Sequence, residues 1–373
     1  MNVRLPLVEP FARDHTYCTY CPKLCRDLCP VSTAQGRETT TPWGKMSLLH
    51  HAATGRPALG DQSPDVDPLA PSYAATFWAC TGCMRCKTGC EHDNEVAAAL
   101  GAGRAEAYTR GAAPASAVAF VARSAARLER SVSAANEVFG ADALDPSAPV
   151  AFFPGCTAVV TAPEDARAGL FATKALCARK VGVEARGCCG LPWLFAGDHD
   201  GFVKAARTNA TRLSRHELVV ASDPGCAHAM RDIYRMHGIA LRARVLHLTE
   251  LAGAELARLR RTTPDGPVRY HDACHLGRGL GVYDAPRNVL ARLTGRAPEE
   301  MPHARARAEC TGGGGLLPIT DPRTADDIAA ERMRDHARAG AGTLVTGCPT
   351  ARRRLERAGA TAVDLAGWIA RAL

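Results

Sequence analysis

The sequence predicts an α+β protein: a helical, cysteine-rich N-terminal domain followed by an α/β domain that occurs twice. Three observations carry this. Two runs of four cysteines lie before residue 91. After residue 149, short apolar runs alternate with amphipathic stretches of helical spacing. The cysteines that end those runs recur at similar intervals in two halves.

The boundaries follow in order: 1–103 for the helical domain, 104–148 for a helical connector, 149–262 for the first α/β repeat and 263–373 for the second. In the first domain, Thr41 caps a helix with Pro42 at its first position. Met46, Leu48 and Leu49 give that helix an apolar side, and Gly55 ends it. The Pro/Asp-rich stretch 56–73 reads as loop. Val118, Phe120, Val121, Ala125 and Leu128 keep helical spacing through the connector, and GADALDPSAP closes it. Beyond it, PVAFFPGC, ELVVASDPGC, PVRYHDAC and AGTLVTGCP read as strands that each lead to a cysteine. PEDARAGLFATKALCARKVG and DAPRNVLARLTG read as helices between them. Chemistry in open α/β sheets gathers beyond the carboxyl ends of the strands, where these cysteines fall.

The repeat is visible in the cysteines themselves. Cys156, Cys188 and Cys226 in the first half correspond to Cys274, Cys310 and Cys348 in the second. The last interval is 38 residues in both halves. GCCGLPWL aligns with ECTGGGGLLP, and PGCAHA with TGCPTA. A duplicated domain with a pseudo-twofold axis is expected.

The chain has 373 residues and 16 cysteines. A chain of this length buries a core without disulfides. Its first residues, MNVRLPLVEPFARD, lack the apolar centre of a secretory signal. The longest uncharged stretch, 146–163, is interrupted by Pro149, Pro154 and Gly155 and does not read as a membrane span. The expected setting is reducing and cytoplasmic, where clustered thiols bind metal; a secreted disulfide framework is the alternative. The net charge is +8 and is spread along the chain, as on a solvated surface. An anionic membrane face or an acidic redox partner would also suit it, and nucleic acid is not needed to explain it.

The run Cys18, Cys21, Cys25, Cys29-Pro30 has spacing C-x2-C-x3-C-x3-C-P, and Cys80, Cys83, Cys86, Cys90 has C-x2-C-x2-C-x3-C. Loops of this kind wrap three corners of a [4Fe–4S] cube, and in two-cluster ferredoxins the fourth cysteine of each run serves the other cube. The expected sets are therefore Cys18, Cys21, Cys25 with Cys90, and Cys80, Cys83, Cys86 with Cys29. Zinc, which favours separate C-x2-C knuckles, is the alternative.

FFPGCT, GCCGLP and YHDACHLGR resemble the cysteine-rich CCG domain of iron–sulfur oxidoreductases. That group includes heterodisulfide reductase subunits, the glycolate oxidase iron–sulfur subunit and the C subunit of anaerobic glycerol-3-phosphate dehydrogenase. The resemblance implies a ferredoxin-like two-cluster part joined to a duplicated CCG part, with a third cluster allowed at Cys156, Cys188, Cys189 and Cys226. It places Ala229 where the repeat's last cysteine belongs, or Asp223 in a cysteine's stead. In the second repeat it leaves Cys274, Cys310 and Cys348, with Thr311 replacing one of the paired cysteines and Ala351 paralleling Ala229. His275 or Asp272 is an open candidate for a fourth ligand there, and a bare site is equally open. The implied function is electron relay from a flavoprotein dehydrogenase to a quinone or other acceptor, at or near a membrane anchor on the inner face of the plasma membrane. A thiol–disulfide reductase acting at the CCG site is the alternative, and a nucleic-acid-binding protein with structural clusters is a second.

Gly190 and Gly312–Gly315 suit close backbone approach to a centre, with N–H groups donating to sulfur. The glycine run lacks the Gly-Lys-Ser/Thr of a nucleotide loop. Cys177 is expected inside a helix as a buried structural thiol, and His50 and His51 as solvated. His271 and His275 flank Cys274 and are the better candidates for tuning a site.

Overall fold

The computed structural model describes residues 5–55, 67, 69–140, 143, 145–262 and 266–373. Most of the expected 56–73 loop lies outside the described residues. The chain divides into two compact units. One comprises Met1–Arg123, Pro192–Gly201 and Glu309–Arg332; the other comprises Ser124–Leu191, Phe202–Ala308 and Met333–Leu373.

The first unit is helical: α1 (Ala12–Tyr20), α2 (Pro30–Gln35), α3 (Pro42–Thr54), α4 (Pro71–Ala74), α5 (Val96–Thr109) and α6 (Ala115–Ala122). α3 begins and ends as its sequence requires. The Thr41 hydroxyl accepts from the Gly44 N–H, Pro42 takes the first position, and Gly55 closes the helix at φ 68°. α1, α3 and α5 pack together. Met46, Leu49, Phe77, Trp78 and Leu100 form their buried core. His50 is a correction: it is buried rather than solvated, with its Nδ1 3.0 Å from that of His15.

The remaining helices in chain order are α7 (Ser124–Phe139), α8 (Cys156–Thr161), α9 (Pro163–Leu176), α10 (Leu191–Ala196), α11 (His199–Leu213), α12 (Pro224–His228), α13 (Tyr234–Met236), α14 (Leu248–Ala254), α15 (Asp284–Thr294), α16 (Leu317–Thr320), α17 (Pro322–Arg338), α18 (Pro349–Arg357) and α19 (Leu365–Arg371). The second unit holds both sheets. β1 (Val150–Phe153), β2 (Val181–Val183), β3 (Leu218–Ala221) and β4 (Arg244–His247) are parallel in the order β2-β1-β3-β4. β5 (Val268–His271), β6 (Thr343–Thr346) and β7 (Ala362–Asp364) are parallel in that order. The four apolar runs read as strands are β1, β3, β5 and β6. In the second half an isolated parallel bridge, Arg269 with Glu299, stands where β2 pairs with β1.

The duplication extends to the packing. α9 and α15 follow the first strand of each half, and α14 and α19 the last. α9 packs on α19, and its counterpart α15 packs on α14. Likewise α8 meets α18, and α12 meets the π-helical turn His275–Gly279. These pairings are those of a pseudo-twofold. One apolar cluster joins both halves, with Val150, Phe152 and Val220 from the first sheet and Val268, Tyr270 and Val345 from the second. Cys177 is half-buried at the C-cap of α9, not inside it. Among the described residues, no helix is long and apolar enough to cross a membrane.

Candidate metal centres

In the first unit, α1 carries Cys18, and Cys21 caps its end. Cys25 opens a 3-10 turn, and Cys29 precedes Pro30, which starts α2. Proline there has no N–H to leave unsatisfied and its φ suits a first helical turn. The chain direction thus changes between the third and fourth cysteines. The strongest thiol charges on Cys18 are those of Cys25, Cys90 and Cys21. Those on Cys86 are Cys80, Cys83 and Cys29, with Cys25 weaker. Cys90 of the second run thus lies among the thiols that act on Cys18, and Cys29 of the first run among those that act on Cys86.

Burial pushes Cys18 up to about 12, against a hydrogen bond from Asn94, and Cys25 up to about 11, reinforced by Cys90 and Cys21. Burial, then Cys80, Cys83 and Cys29, raises Cys86 well above the ordinary thiol range. Thiols crowded in this way stay protonated unless something strongly positive lies among them, and a metal centre does that directly. Every cysteine is free of disulfides. A pocket lined by Cys18, Cys21, Cys25 and Cys90, and also by Cys86 of the other set, opens beside Trp43 and Asn94. Soft donors, four to a set around such a space, fit iron–sulfur clusters.

Sequence reasoning missed three residues here. Asn94, 1 % exposed, donates from Nδ2 to Cys18 Sγ at 3.2 Å and from its backbone N–H to Cys90 Sγ at 3.5 Å. Lys45 donates to Cys29 Sγ at 3.4 Å. Arg104 donates to the Cys80 carbonyl at 2.7 Å. The only available signal was a lysine amid the apolar residues of α3 and an arginine amid the alanines of α5.

Two glycines of the run, Gly314 and Gly315, have a role other than donation to sulfur. A Cβ on Gly315 would lie 2.0 Å from the Cys80 carbonyl oxygen, and one on Gly314 2.3 Å from that of Thr81. These glycines let their backbone pack directly on the backbone of the second cysteine run. Within the run it is Gly312 that donates as foreseen, to Cys310 Sγ at 3.3 Å.

In the second unit, four thiols form a chain. Cys156 Sγ is 3.7 Å from Cys188 Sγ; Cys188 bonds Cys189, and Cys189 bonds Cys226. The Cys189 hydrogen bond lowers Cys226, yet burial prevails and pushes it up to about 12. Their scaffold is polar and satisfied. Asn209 Nδ2 donates to the Cys188 carbonyl at 2.7 Å, and Tyr234 Oη to that of Cys189 at 2.8 Å. Gly190, at φ 89°, donates its N–H to Cys188. Asp223 is buried and caps α12 through the N–H groups of Gly225 and Cys226; burial raises its pKa.

The second repeat is poorer. Cys348 is the N-cap of α18 and accepts from the Ala351 N–H at 3.4 Å; burial, then Asp223 and Cys274, raise it. Cys310 belongs to the first unit, whereas Cys274 and Cys348 belong to the second. Asp272 is engaged elsewhere: both its oxygens hold Arg287, each at 2.8 Å, and one accepts from the Arg305 N–H. His275 Nδ1 sits 2.8 Å from His228 Nδ1. Burial lowers His275 to about 3 and His228 to about 4. His271 is buried in β5.

The family comparisons coincide with this anatomy. A 4Fe-4S dicluster domain model matches residues 14–94, and a cysteine-rich CCG domain model matches 150–231 and 268–355. The chain thus carries a 4Fe-4S dicluster domain followed by two copies of the cysteine-rich CCG domain. The B subunit of the fumarate reductase (CoM/CoB) of Methanothermobacter marburgensis is 25% identical over 78% of this chain and 58% of its own. The D subunit of the dihydromethanophenazine:CoB–CoM heterodisulfide reductase of Methanosarcina mazei is 32% identical over 57% of this chain and 54% of its own. A probable membrane-anchored ferredoxin of Chromohalobacter salexigens is 37% identical over 48% of this chain and 28% of its own. This CCG protein thus spans little more than half the length of the first two relatives.

Proposed function

We propose that this CCG protein is an electron-relaying subunit of an iron–sulfur oxidoreductase. Cys18, Cys21, Cys25 and Cys90 hold one [4Fe–4S] cluster, and Cys80, Cys83, Cys86 and Cys29 hold the other. The donor is a flavoprotein dehydrogenase and the acceptor a quinone or another carrier, reached at a membrane face through a partner. The observation that supports the reading is that Asn94 donates to Cys18 of the first run and to Cys90 of the second, at 3.2 and 3.5 Å. Such clusters supply one-electron carriage; the chain's residues hold them, limit solvent at their sulfurs and donate hydrogen bonds to them. The test is anaerobic purification with iron and sulfide assay and EPR of the reduced protein. At least about eight irons, four for each of the two clusters, support the reading. Stoichiometric zinc without a cluster signal overturns it.

A second reading has its own support. The linked thiols Cys156, Cys188, Cys189 and Cys226 suit a heterodisulfide-type reductase centre, and two of the relatives are CoM/CoB enzymes by name. Thiol-dependent turnover of a disulfide by the cluster-loaded protein, lost in Cys189→Ser, distinguishes it from simple relay.

A further inference from the structure

The second thiol set has two buried cations beside it. Lys45, in the first turn of α3, is 1 % exposed. Its Nζ donates to the Ala79 carbonyl at 2.7 Å and to Cys29 Sγ at 3.4 Å. Arg104 in α5 is 2 % exposed. Its guanidinium donates to the carbonyls of Phe77, Cys80, Phe195 and Gly315. No ion pair joins either cation to a carboxylate among the described residues. A buried charge without a counter-ion is costly, so both require an anion close by.

The first set is different. The side chain that donates to sulfur there is the neutral amide of Asn94, 3.2 Å from Cys18 Sγ. Lys23 lines its pocket, but it is a third exposed, pairs with Glu38 at 2.9 Å and lies over Trp43. Hydrogen bonds to sulfur do not separate the sets. Asn94 supplies two to the first, while Gly82 N–H and Lys45 supply one each to Cys80 and Cys29 in the second. Net charge does separate them. Reduction adds one negative charge to a centre, and a cation in a low-dielectric site stabilises that state. Solvent at the pocket favours reduction of the first set as well, but water screens at a distance, whereas the Lys45 ammonium touches sulfur.

We propose that Lys45, supported by Arg104, is a positioning residue that raises the reduction potential of the centre at Cys29, Cys80, Cys83 and Cys86 above that of its neighbour at Cys18, Cys21, Cys25 and Cys90. With both clusters bound, an electron delivered to this unit would therefore rest on the centre beside Lys45, its neighbour giving up the one electron that this centre takes. The inference rests on the two-cluster reading above.

The experiment is an EPR-monitored redox titration of the full-length, cluster-loaded protein. Iron and sulfide assay comes first. If the clusters are absent, the two-cluster reading and this ordering both fall. If they are present, only the ordering is at stake. Wild type should show two separate midpoints. Asn94→Ala should alter the spectrum of the lower-potential centre, which labels it. Lys45→Met should lower the upper midpoint and leave the lower one in place, while Lys45→Arg should keep the upper midpoint near its original value. A shared wild-type midpoint overturns the proposal, as does an Asn94→Ala change in the upper centre. So does a Lys45→Met shift that falls on both centres or on neither. Should Lys45→Met lose its clusters, Arg104→Gln against Arg104→Lys gives the same comparison, and the wild-type order still decides.

Discussion

Asn94 is the residue that serves both ends of a crossed set. It reaches Cys18 of the first run and Cys90 of the second with two donors, and it is buried. Hydrogen bonds to thiolate sulfur strengthen the ligand and orient it. Asn94→Ala should loosen the first centre without touching the second. Mild oxidation or chelation should then remove about four irons, one cluster's complement, ahead of the rest. Equal loss from both centres would show that Asn94 acts on the unit as a whole. The ligands themselves were legible in the sequence because cysteine spacing is local: a cluster needs its corners close together. Asn94, Lys45 and Arg104 were not, because their contacts with Cys18, Cys29 and Cys80 span 76, 16 and 24 residues and nothing in the local sequence announces them. The histidines show the same limit. His50 follows apolar residues and precedes a loop, yet His15, 35 positions away, makes it an interior group. Asp272 stands two residues before Cys274 and invites a ligand role that Arg287 has already taken.

Among the elements, β1, β3, β5 and β6 could be read because each is an apolar run ending at a cysteine. β2, β4 and β7 have three or four residues each, and their burial comes from the sheets they join rather than from their own pattern. β7 leads into a cap that gives a pH prediction. Asp364 accepts the Ala366 N–H at the start of α19, but its other oxygen is buried without a partner. Burial raises it from 3.8 to about 6. The folded state thus holds a proton more tightly than the unfolded one, so stability falls as pH rises from about 4 to about 6, as the buried carboxyl ionises, and changes little above that. Asp364→Asn keeps an accepting oxygen and removes the charge. It should raise stability by up to about 3 kcal/mol at pH 7, because each pKa unit between the folded and unfolded states is worth about 1.36 kcal/mol, and by almost nothing at pH 4. Thermal melts of both proteins at the two pH values measure this; an equal gain at both would exclude the carboxylate's titration as the cause. The glycine run makes a second prediction. Gly315→Ala forces a methyl group onto the Cys80 carbonyl at a φ of 64°. The backbone strain alone is about 1–2 kcal/mol. The variant should melt lower and lose iron from the second centre first, as followed by EPR during thermal or chelator challenge.

At the scale of the whole molecule, the duplicated architecture holds even though its chemistry has diverged between the halves. The pseudo-twofold packing of α9 on α19 and α15 on α14 needs both repeats, since one apolar cluster serves the two sheets. Folding therefore preserves the second repeat whether or not it binds metal. Its thiols are another matter. The first repeat brings Cys156, Cys188, Cys189 and Cys226 into one hydrogen-bonded chain within a single unit. The second has Thr311 in place of a cysteine and an Asp272 committed to Arg287. An alcohol is a poor iron ligand beside sulfide. A third cluster, where present, should accordingly belong to the first repeat. Replacing Cys188 and Cys189 together by serine should remove about four irons, one cluster's complement, while both N-terminal EPR signals persist. Cys310→Ala should leave iron content unchanged. It should cost only about 1–3 kcal/mol of stability, from a buried thiol that already accepts the Gly312 N–H. Iron and sulfide assays on the two variants, with melting curves to confirm folding, decide the matter. If Cys310→Ala removes a cluster and the double variant does not, the second repeat is the working half and the first the scaffold.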